Sequence, residues 1–128
     1  MIPVQELRIG NYVLWQGKIV EVISIMPRWA CVRYDEVTFS RSYEEFQSVP
    51  ITEEWLREFG FEENTRISHS SGKGVEYATF HKFGLLWNSS QAKWWWDNRV
   101  FNHPPMYVHQ LQNLTYALTG EELKRKQP

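Results

Sequence analysis

The sequence lacks the features that mark membrane-inserted and disulfide-stabilised proteins. No run approaches the roughly 18 apolar residues of a membrane span, and the N-terminal residues lack the basic and apolar regions of a signal peptide. Cys31 is the only cysteine, so neither an intramolecular disulfide nor a multi-cysteine zinc site can form. We therefore expect a soluble, cytoplasmic chain with no membrane partner, no metal and no cofactor.

An excess of charge is also missing. The 128 residues include 14 basic and 15 acidic ones, for a net charge of -1. This balance argues against a protein that binds duplex DNA mainly by neutralising phosphates. A small anionic ligand held by a few local cations remains compatible with it.

Patterns typical of catalytic sites are absent as well. The spacing of His69, His81, His103 and His109 does not match a metal site, and no nucleophile elbow or paired carboxylates occur. The Gly-Lys-Gly run at 72–74 lacks the Walker spacing and a following helix, so it is predicted to be a turn. We expect a protein that is not an enzyme.

Tryptophan is what the sequence has in abundance. Of its seven tryptophans, four fall in the short stretch 83–101, at positions 87, 94, 95 and 96. Strand alternation places Trp94 and Trp96 on one face of a hairpin that turns at 88–91, and Trp95 and Lys93 on the other. Phe83, Leu85 and Trp87 are predicted to share a face of the preceding strand. At least one large ring must then lie on the outer face, unless a further layer or a second subunit covers it.

Three roles are open for these rings. Trp87, Trp94 and Trp96 could fill the core between a sheet and a helix. Alternatively, an outward ring, Trp95 or Trp94, could stack on a planar base, which stabilises by about 1 to 3 kcal/mol per base, while a cation binds a phosphate. Outward rings could also form a protein or subunit interface. The candidate ligand-binding residues are Trp94, Trp95, Trp96, Lys93, Arg99, Lys82 and Trp87.

The first 50 residues predict five short strands joined by tight turns. The first two strands are joined at Gln16-Gly17, and a β-rich composition continues to residue 49. The predicted strands cover 7–15, 18–25, 29–34, 37–41 and 45–49. Because closure removes the exposed edges of such short strands, we expect residues 1–50 to form a small SH3-like β-barrel, closed or partly closed.

Residues 51–128 predict a short helix, an antiparallel sheet and a C-terminal amphipathic helix, giving an α+β fold that is one compact unit with the first module. Thr52 is a suitable N-cap, and Gly60 predicts a Schellman ending in which Phe61 folds back on Leu56. Residues 62–74 are polar and are predicted to be a mobile connection. Short strands are expected at 75–81 and 99–101.

The C-terminal helix is predicted from an apolar spacing that ends at Gly120. This stripe is expected to pack on the antiparallel sheet, while the polar residues between its members face away. The stripe comprises Tyr107, Leu111, Leu114 and Leu118, and the polar residues are His109, Gln110, Gln112 and Asn113.

Several blocks of the sequence resemble a known family. They are LRIGNYV at 7–13, GKIV at 17–20, PITEEWL at 50–56, FGF at 59–61 and YVHQLQNLTYALTGEEL at 107–123. They resemble a family of short proteins carried by gut Bacteroidetes-type bacteria and by their phages and prophages. The resemblance implies a bacterial host and a mobile-element context, and it implies no catalytic residue.

The expected function is non-enzymatic binding of a base-containing anionic ligand. That ligand is a nucleotide signal, sequestered by a sponge against host defence, or a short single-stranded nucleic acid. The alternative is a protein-interaction or self-assembly module, whose partner is a host protein, a phage protein or a second copy in a homo-oligomer.

Overall fold

A computed structural model describes residues 2–68, 72 and 74–126. The fold is α+β, with two antiparallel five-stranded sheets and a C-terminal helix. The strands are β1 Tyr12–Trp15, β2 Lys18–Ile25, β3 Trp29–Tyr34, β4 Val37–Ser42, β5 Phe46–Gln47, β6 Glu62–Ser68, β7 Val75–Lys82, β8 Leu85–Asn88, β9 Lys93–Trp96 and β10 Arg99–Val100. The α-helices are α1 Glu53–Glu58 and α2 Val108–Thr119. Within the described ranges, neither helix is long and apolar enough to cross a membrane.

The chain forms two compact units, and the second is inserted into the first. The first unit comprises Met1–Ile51 and Met106–Leu123, and the second comprises Thr52–Pro105 and Lys124–Pro128. Where the chain leaves and re-enters the first unit, the two segments are hydrogen-bonded. The Ile51 N–H donates to the Met106 carbonyl at 3.3 Å, and the Val108 N–H donates to the Val49 carbonyl at 2.8 Å.

The first sheet has the strand order β4-β3-β2-β1-β5. A two-residue turn at Gln16 and Gly17, with φ of 48° and 77°, joins β1 to β2 as predicted. A 3₁₀ turn at Tyr43–Glu45 precedes β5. Among the described strands, β4 and β5 are the two edges and do not pair with each other, so closure into a barrel is not confirmed. The two-residue β5 pairs only with β1.

One face of this sheet carries the core of the first unit. Its buried residues are Ile2, Leu7, Val13, Val20, Val22, Ala30, Val32, Tyr43 and Phe46. Their β-branched side chains alternate along β1 to β3 and suit a half-buried sheet.

Helix α2 belongs to the first unit, so its predicted packing on the second sheet is wrong. Its buried stripe is also not the predicted one, because it includes Gln112 and His109, both 0% exposed, while Leu118 is exposed. Gln112 hydrogen-bonds to backbone groups that lead into β1: Oε1 accepts from the Tyr12 N–H at 2.9 Å, and Nε2 donates to the Gly10 carbonyl at 2.9 Å. Gln112 can be buried here because its amide satisfies these two backbone groups, while β2 bonds to the Gly10 N–H and the Asn11 carbonyl of the same segment.

The second sheet is a meander with the order β10-β9-β8-β7-β6. The prediction of a connection at 62–74 is wrong for Glu62–Ser68, which pairs with β7 from Glu62 opposite His81 to Ser68 opposite Val75. Charged side chains are tolerated on an edge strand such as β6, where they discourage pairing with another chain. His69 and Lys73 of the predicted connection and turn lie outside the described residues.

Helix α1 begins and ends as predicted. Thr52 Oγ1 accepts a hydrogen bond from the Trp55 N–H at 3.3 Å. Gly60, with φ of 82°, and Phe61 donate to the carbonyls of Arg57 and Leu56 at 3.0 and 2.9 Å. These two bonds define the Schellman motif.

Candidate functional site

The tryptophan stretch forms the hairpin β8–β9, and its register agrees with the predicted alternation. Trp87 lies opposite Trp94, and Leu86 lies opposite Trp95. A side chain shares its face with the residue directly opposite, so Trp87 and Trp94 lie on one face and Leu86 and Trp95 on the other. Phe83 differs from the prediction, because it lies in the turn before β8 with φ of 54°.

The face that carries Trp94 is the inner face of the second unit. Trp94 is only 3% exposed and packs edge-on against Phe61, with ring centroids 6.0 Å apart. Trp87 is half-buried and packs against Phe80. Trp96 is half-buried and lies so close to Gly84 that a Cβ there would be 2.9 Å from its ring. These three indoles are packing residues of the second unit.

The opposite, outer face of the hairpin carries a pocket of about 400 Å³. Trp95 and its cross-strand partner Leu86 line it on the strands. Gly84, Asp97 and Asn98 line it beyond one end of the hairpin, and Asn88 and Gln91 line it at the other. The site thus combines an apolar floor with polar groups at both ends, as small-molecule sites commonly do.

Tight turns hold the polar ends in place. Asp97 and Asn98 have φ of 49° and 64°, which makes them a two-residue hairpin turn between β9 and β10. At the other end, Asn88 Oδ1 accepts hydrogen bonds from the N–H groups of Ser90 and Gln91 at 2.9 and 3.3 Å. This Asx turn orders the predicted 88–91 loop.

The three predicted cations are placed differently. Lys93 is exposed and lies opposite Asn88, on the face of Trp95. Arg99 lies opposite Trp96 and therefore on the other face. Lys82 donates to the Phe59 carbonyl at 2.6 Å, and its pKa is lowered by burial and by the nearby Lys126 charge. Of the three, only Lys93 shares the face of the pocket.

A second polar pocket, of about 410 Å³, lies in the first unit beside Glu6, Tyr107 and Gln110. Glu6 Oε1 lies 2.9 Å from Nε2 of the buried His109 and accepts from Gln110 Nε2 at 3.3 Å. The hydrogen bond from His109 is the main reason that the pKa of Glu6 is lowered. This pair anchors the N-terminal segment to α2.

The pocket residues other than Trp95 were not predicted as ligand contacts. From the sequence, Asn88 and Gln91 were predicted only to belong to a turn. No role was predicted for Asp97 and Asn98. A signal was present, since Asp and Asn are both residues that tolerate the left-handed backbone of a two-residue hairpin turn. Among the described residues, no three His, Cys, Asp or Glu side chains come together in a way that could hold a metal ion.

Comparison with known proteins decides nothing further about this site. No family model, curated protein or solved structure matches the chain.

Proposed function

We propose that the protein is a non-enzymatic binding protein that holds a base-containing, anionic ligand against Trp95. The ligand class is a nucleotide signal or a short single-stranded nucleic acid. The observation that carries this proposal is the pocket of about 400 Å³ over the outward-facing Trp95 and Leu86. Its volume is within the usual range for small-molecule sites, about 300 to 1,000 Å³.

The position of Trp95 supports stacking. Its neighbours Trp94 and Trp87 pair with Phe61 and Phe80, whereas no aromatic pair within the described part of the chain includes Trp95. A base on this indole would gain about 1 to 3 kcal/mol. The ring is held on a paired strand, so little conformational entropy is lost when a ligand binds.

The polar groups suggest how a nucleotide would lie. Lys93 is a cation on this face, and it is opposite Asn88, which lines one end of the pocket. The phosphate belongs at this end, and the base belongs on Trp95. This arrangement needs one local cation, which is compatible with a net charge of -1.

The experiment is a titration with nucleoside monophosphates, cyclic nucleotides and short oligonucleotides, followed by calorimetry and tryptophan fluorescence. Trp95→Ala should weaken binding at least tenfold. Trp29→Ala is the matched control, since it removes another solvent-accessible indole, 46% exposed, from the first unit. Equal affinity in Trp95→Ala and the unchanged protein would refute the proposed site.

The biological role proposed with this activity is sequestration. A protein that binds a nucleotide signal without turning it over acts stoichiometrically, as a sponge for a phage or prophage against host defence would. The resemblance of 7–13 and 107–123 to proteins of bacterial mobile elements supports this role. In the first unit, the meander, the 3₁₀ turn and the pairing of β5 with β1 support an SH3-like topology.

A second candidate function is protein interaction through the first unit. Trp29 and Met26 are 46% and 47% exposed, and they flank the turn between β2 and β3. Exposed Trp and Met are enriched at interfaces. Light scattering on the isolated protein tests self-association, and Trp29→Ala should shift the mass to that of a monomer if this turn is the interface.

A further inference from the structure

At the end of the pocket where the base is proposed to lie, the carboxylate of Asp97 is a hydrogen-bond acceptor that the fold does not use. Asp97 lines the pocket beside Trp95 and Asn98. No ion pair or side-chain hydrogen bond within the described residues engages its carboxylate. The Asp97 side chain is exposed and its two oxygens only accept, so a ligand with two neighbouring donors would complement it.

Among the common bases, guanine best meets this requirement. Its Watson–Crick edge presents N1–H and the 2-amino group side by side, so that one carboxylate accepts both bonds in parallel. Adenine and cytosine each have one exocyclic amine beside a ring nitrogen lone pair, which a carboxylate repels. The carboxamide of Asn98 can donate to the guanine O6, which the carboxylate cannot do. Proteins commonly read an unpaired base by such contacts on its edge, combined with aromatic stacking.

We infer that the pocket over Trp95 is selective for guanine: the base stacks on the indole, Asp97 accepts from N1–H and the 2-amino group, and Asn98 donates to O6. The sugar and phosphate then extend towards Asn88, Gln91 and Lys93. At about 3.3 Å per residue, the strand from 97 to 93 spans about 13 Å, which gives a single nucleotide room along the hairpin. This inference rests on the proposed function and adds the identity of the base.

The test compares guanosine, inosine, adenosine and cytidine 5′-monophosphates on the whole chain by calorimetry. GMP should bind about 10- to 100-fold more tightly than AMP or CMP, the discrimination expected of one good bidentate pair. Inosine monophosphate lacks the 2-amino group and should bind about tenfold more weakly than GMP. This ligand series requires no variant and therefore no assumption about folding.

A variant then assigns the selectivity to Asp97. Asp97→Asn keeps the size of the side chain and tolerates the left-handed backbone, but it replaces one acceptor oxygen with an amide donor. The preference for GMP over AMP should disappear, and xanthosine monophosphate, with a carbonyl in place of the 2-amino group, should bind more tightly than GMP. Asp35→Asn is the matched control, since Asp35 also has a left-handed φ, of 55°, in a turn of the first unit. It should leave the preference unchanged.

The outcomes separate the two claims. If all nucleotides bind equally and Trp95→Ala weakens them all, the guanine inference is overturned while the proposed function stands. If Asp97→Asn retains the GMP preference, the assignment of that residue is wrong. If neither these nucleotides nor short oligonucleotides bind, both claims fail.

Discussion

Adjacent indoles on β9 have different surroundings. Trp94 is buried against Phe61, whereas Trp95 is half-buried and lines an open pocket. We expect Trp94→Ala to lower the free energy of unfolding by about 3 to 5 kcal/mol, because it leaves a large cavity. Trp95→Ala should lower it by less than about 1 kcal/mol. Urea denaturation of both variants checks this, and equal losses would contradict the assignment of the two faces.

Gln112 stabilises the first unit through buried hydrogen bonds. Its side chain bonds to the Tyr12 N–H and to the carbonyls of Gly10 and Leu123. Gln112→Met keeps a similar volume but leaves these buried groups unpaired, and each costs about 1 to 3 kcal/mol. We expect a loss of at least about 3 kcal/mol in denaturant unfolding.

Gln110→Met is the matched control on the same helix. Gln110 is half-buried. It accepts from the backbone N–H groups of Met106 and Tyr107 and donates to the partly exposed carboxylate of Glu6, and water can satisfy these groups in its absence. Gln110→Met should therefore lower the free energy of unfolding by less than about 1 kcal/mol. A similar loss in both variants would show that burial of the amide is not what matters.

At this scale the sequence predicted the tryptophan faces but not the role of Gln112. Strand alternation depends only on neighbours along the chain, so it can be predicted locally. The burial of Gln112 depends on backbone groups about 100 positions away, which no local pattern reveals.

Among the elements, α1 offers a direct test of its C-terminal glycine. Gly60 has φ of 82°, and a Cβ there would lie 2.9 Å from Lys82 Nζ. Gly60→Ala should therefore lower the free energy of unfolding by about 1 to 2 kcal/mol, because alanine is strained in the left-handed backbone. It should lower it further because Lys82, which donates to the Phe59 carbonyl, must move aside.

Gly120→Ala isolates the backbone part of this cost. Gly120 ends α2 with φ of 75°, and a Cβ added there would meet no neighbouring atom within 4 Å. Thermal unfolding should show a larger loss of stability for Gly60→Ala than for Gly120→Ala. Equal losses would mean that Lys82 moves aside at no cost.

The ends of α1 were predictable because capping residues act within one turn. Strand β6 was not, since most of its sequence EENTRIS is polar and Ile67 is its only large apolar residue. It is a strand because β7 provides a ladder for it, and tertiary pairing overrides weak local preference.

For the whole molecule, the lowered pKa of Glu6 predicts how stability changes in acid. A carboxyl whose pKa is lower in the folded than in the unfolded state stabilises the fold above the unfolded value, about 4.3 for Glu. This stabilisation is lost as the pH falls through the folded pKa. The free energy of unfolding should therefore fall more steeply below about pH 5 in the unchanged protein than in Glu6→Gln. Denaturant unfolding between pH 3 and 7 measures both slopes, and identical slopes would contradict the role of the His109 hydrogen bond.

The insertion of the second unit predicts that the first can be prepared without it. Ile51 and Met106 are hydrogen-bonded neighbours within the first unit. Replacing 52–105 with a short Gly-Ser linker should therefore give a protein that retains the β1–β5 sheet and α2. Dispersed amide NMR signals and one cooperative melting transition would confirm this, whereas a spectrum without dispersion would contradict it.

The same insertion has a consequence for synthesis on the ribosome. The residues of the second unit from 52 to 105 emerge before 106–123, which contain the buried Leu111 and Gln112 of the first. The first unit therefore cannot be completed until the last part of the chain has been made. Until then, the Gly10 carbonyl and the Tyr12 N–H lack their hydrogen bonds to Gln112. The earliest-made segment is among the last to be completed, and a nascent chain that has emerged as far as residue 105 would carry a complete tryptophan hairpin and an incomplete first unit.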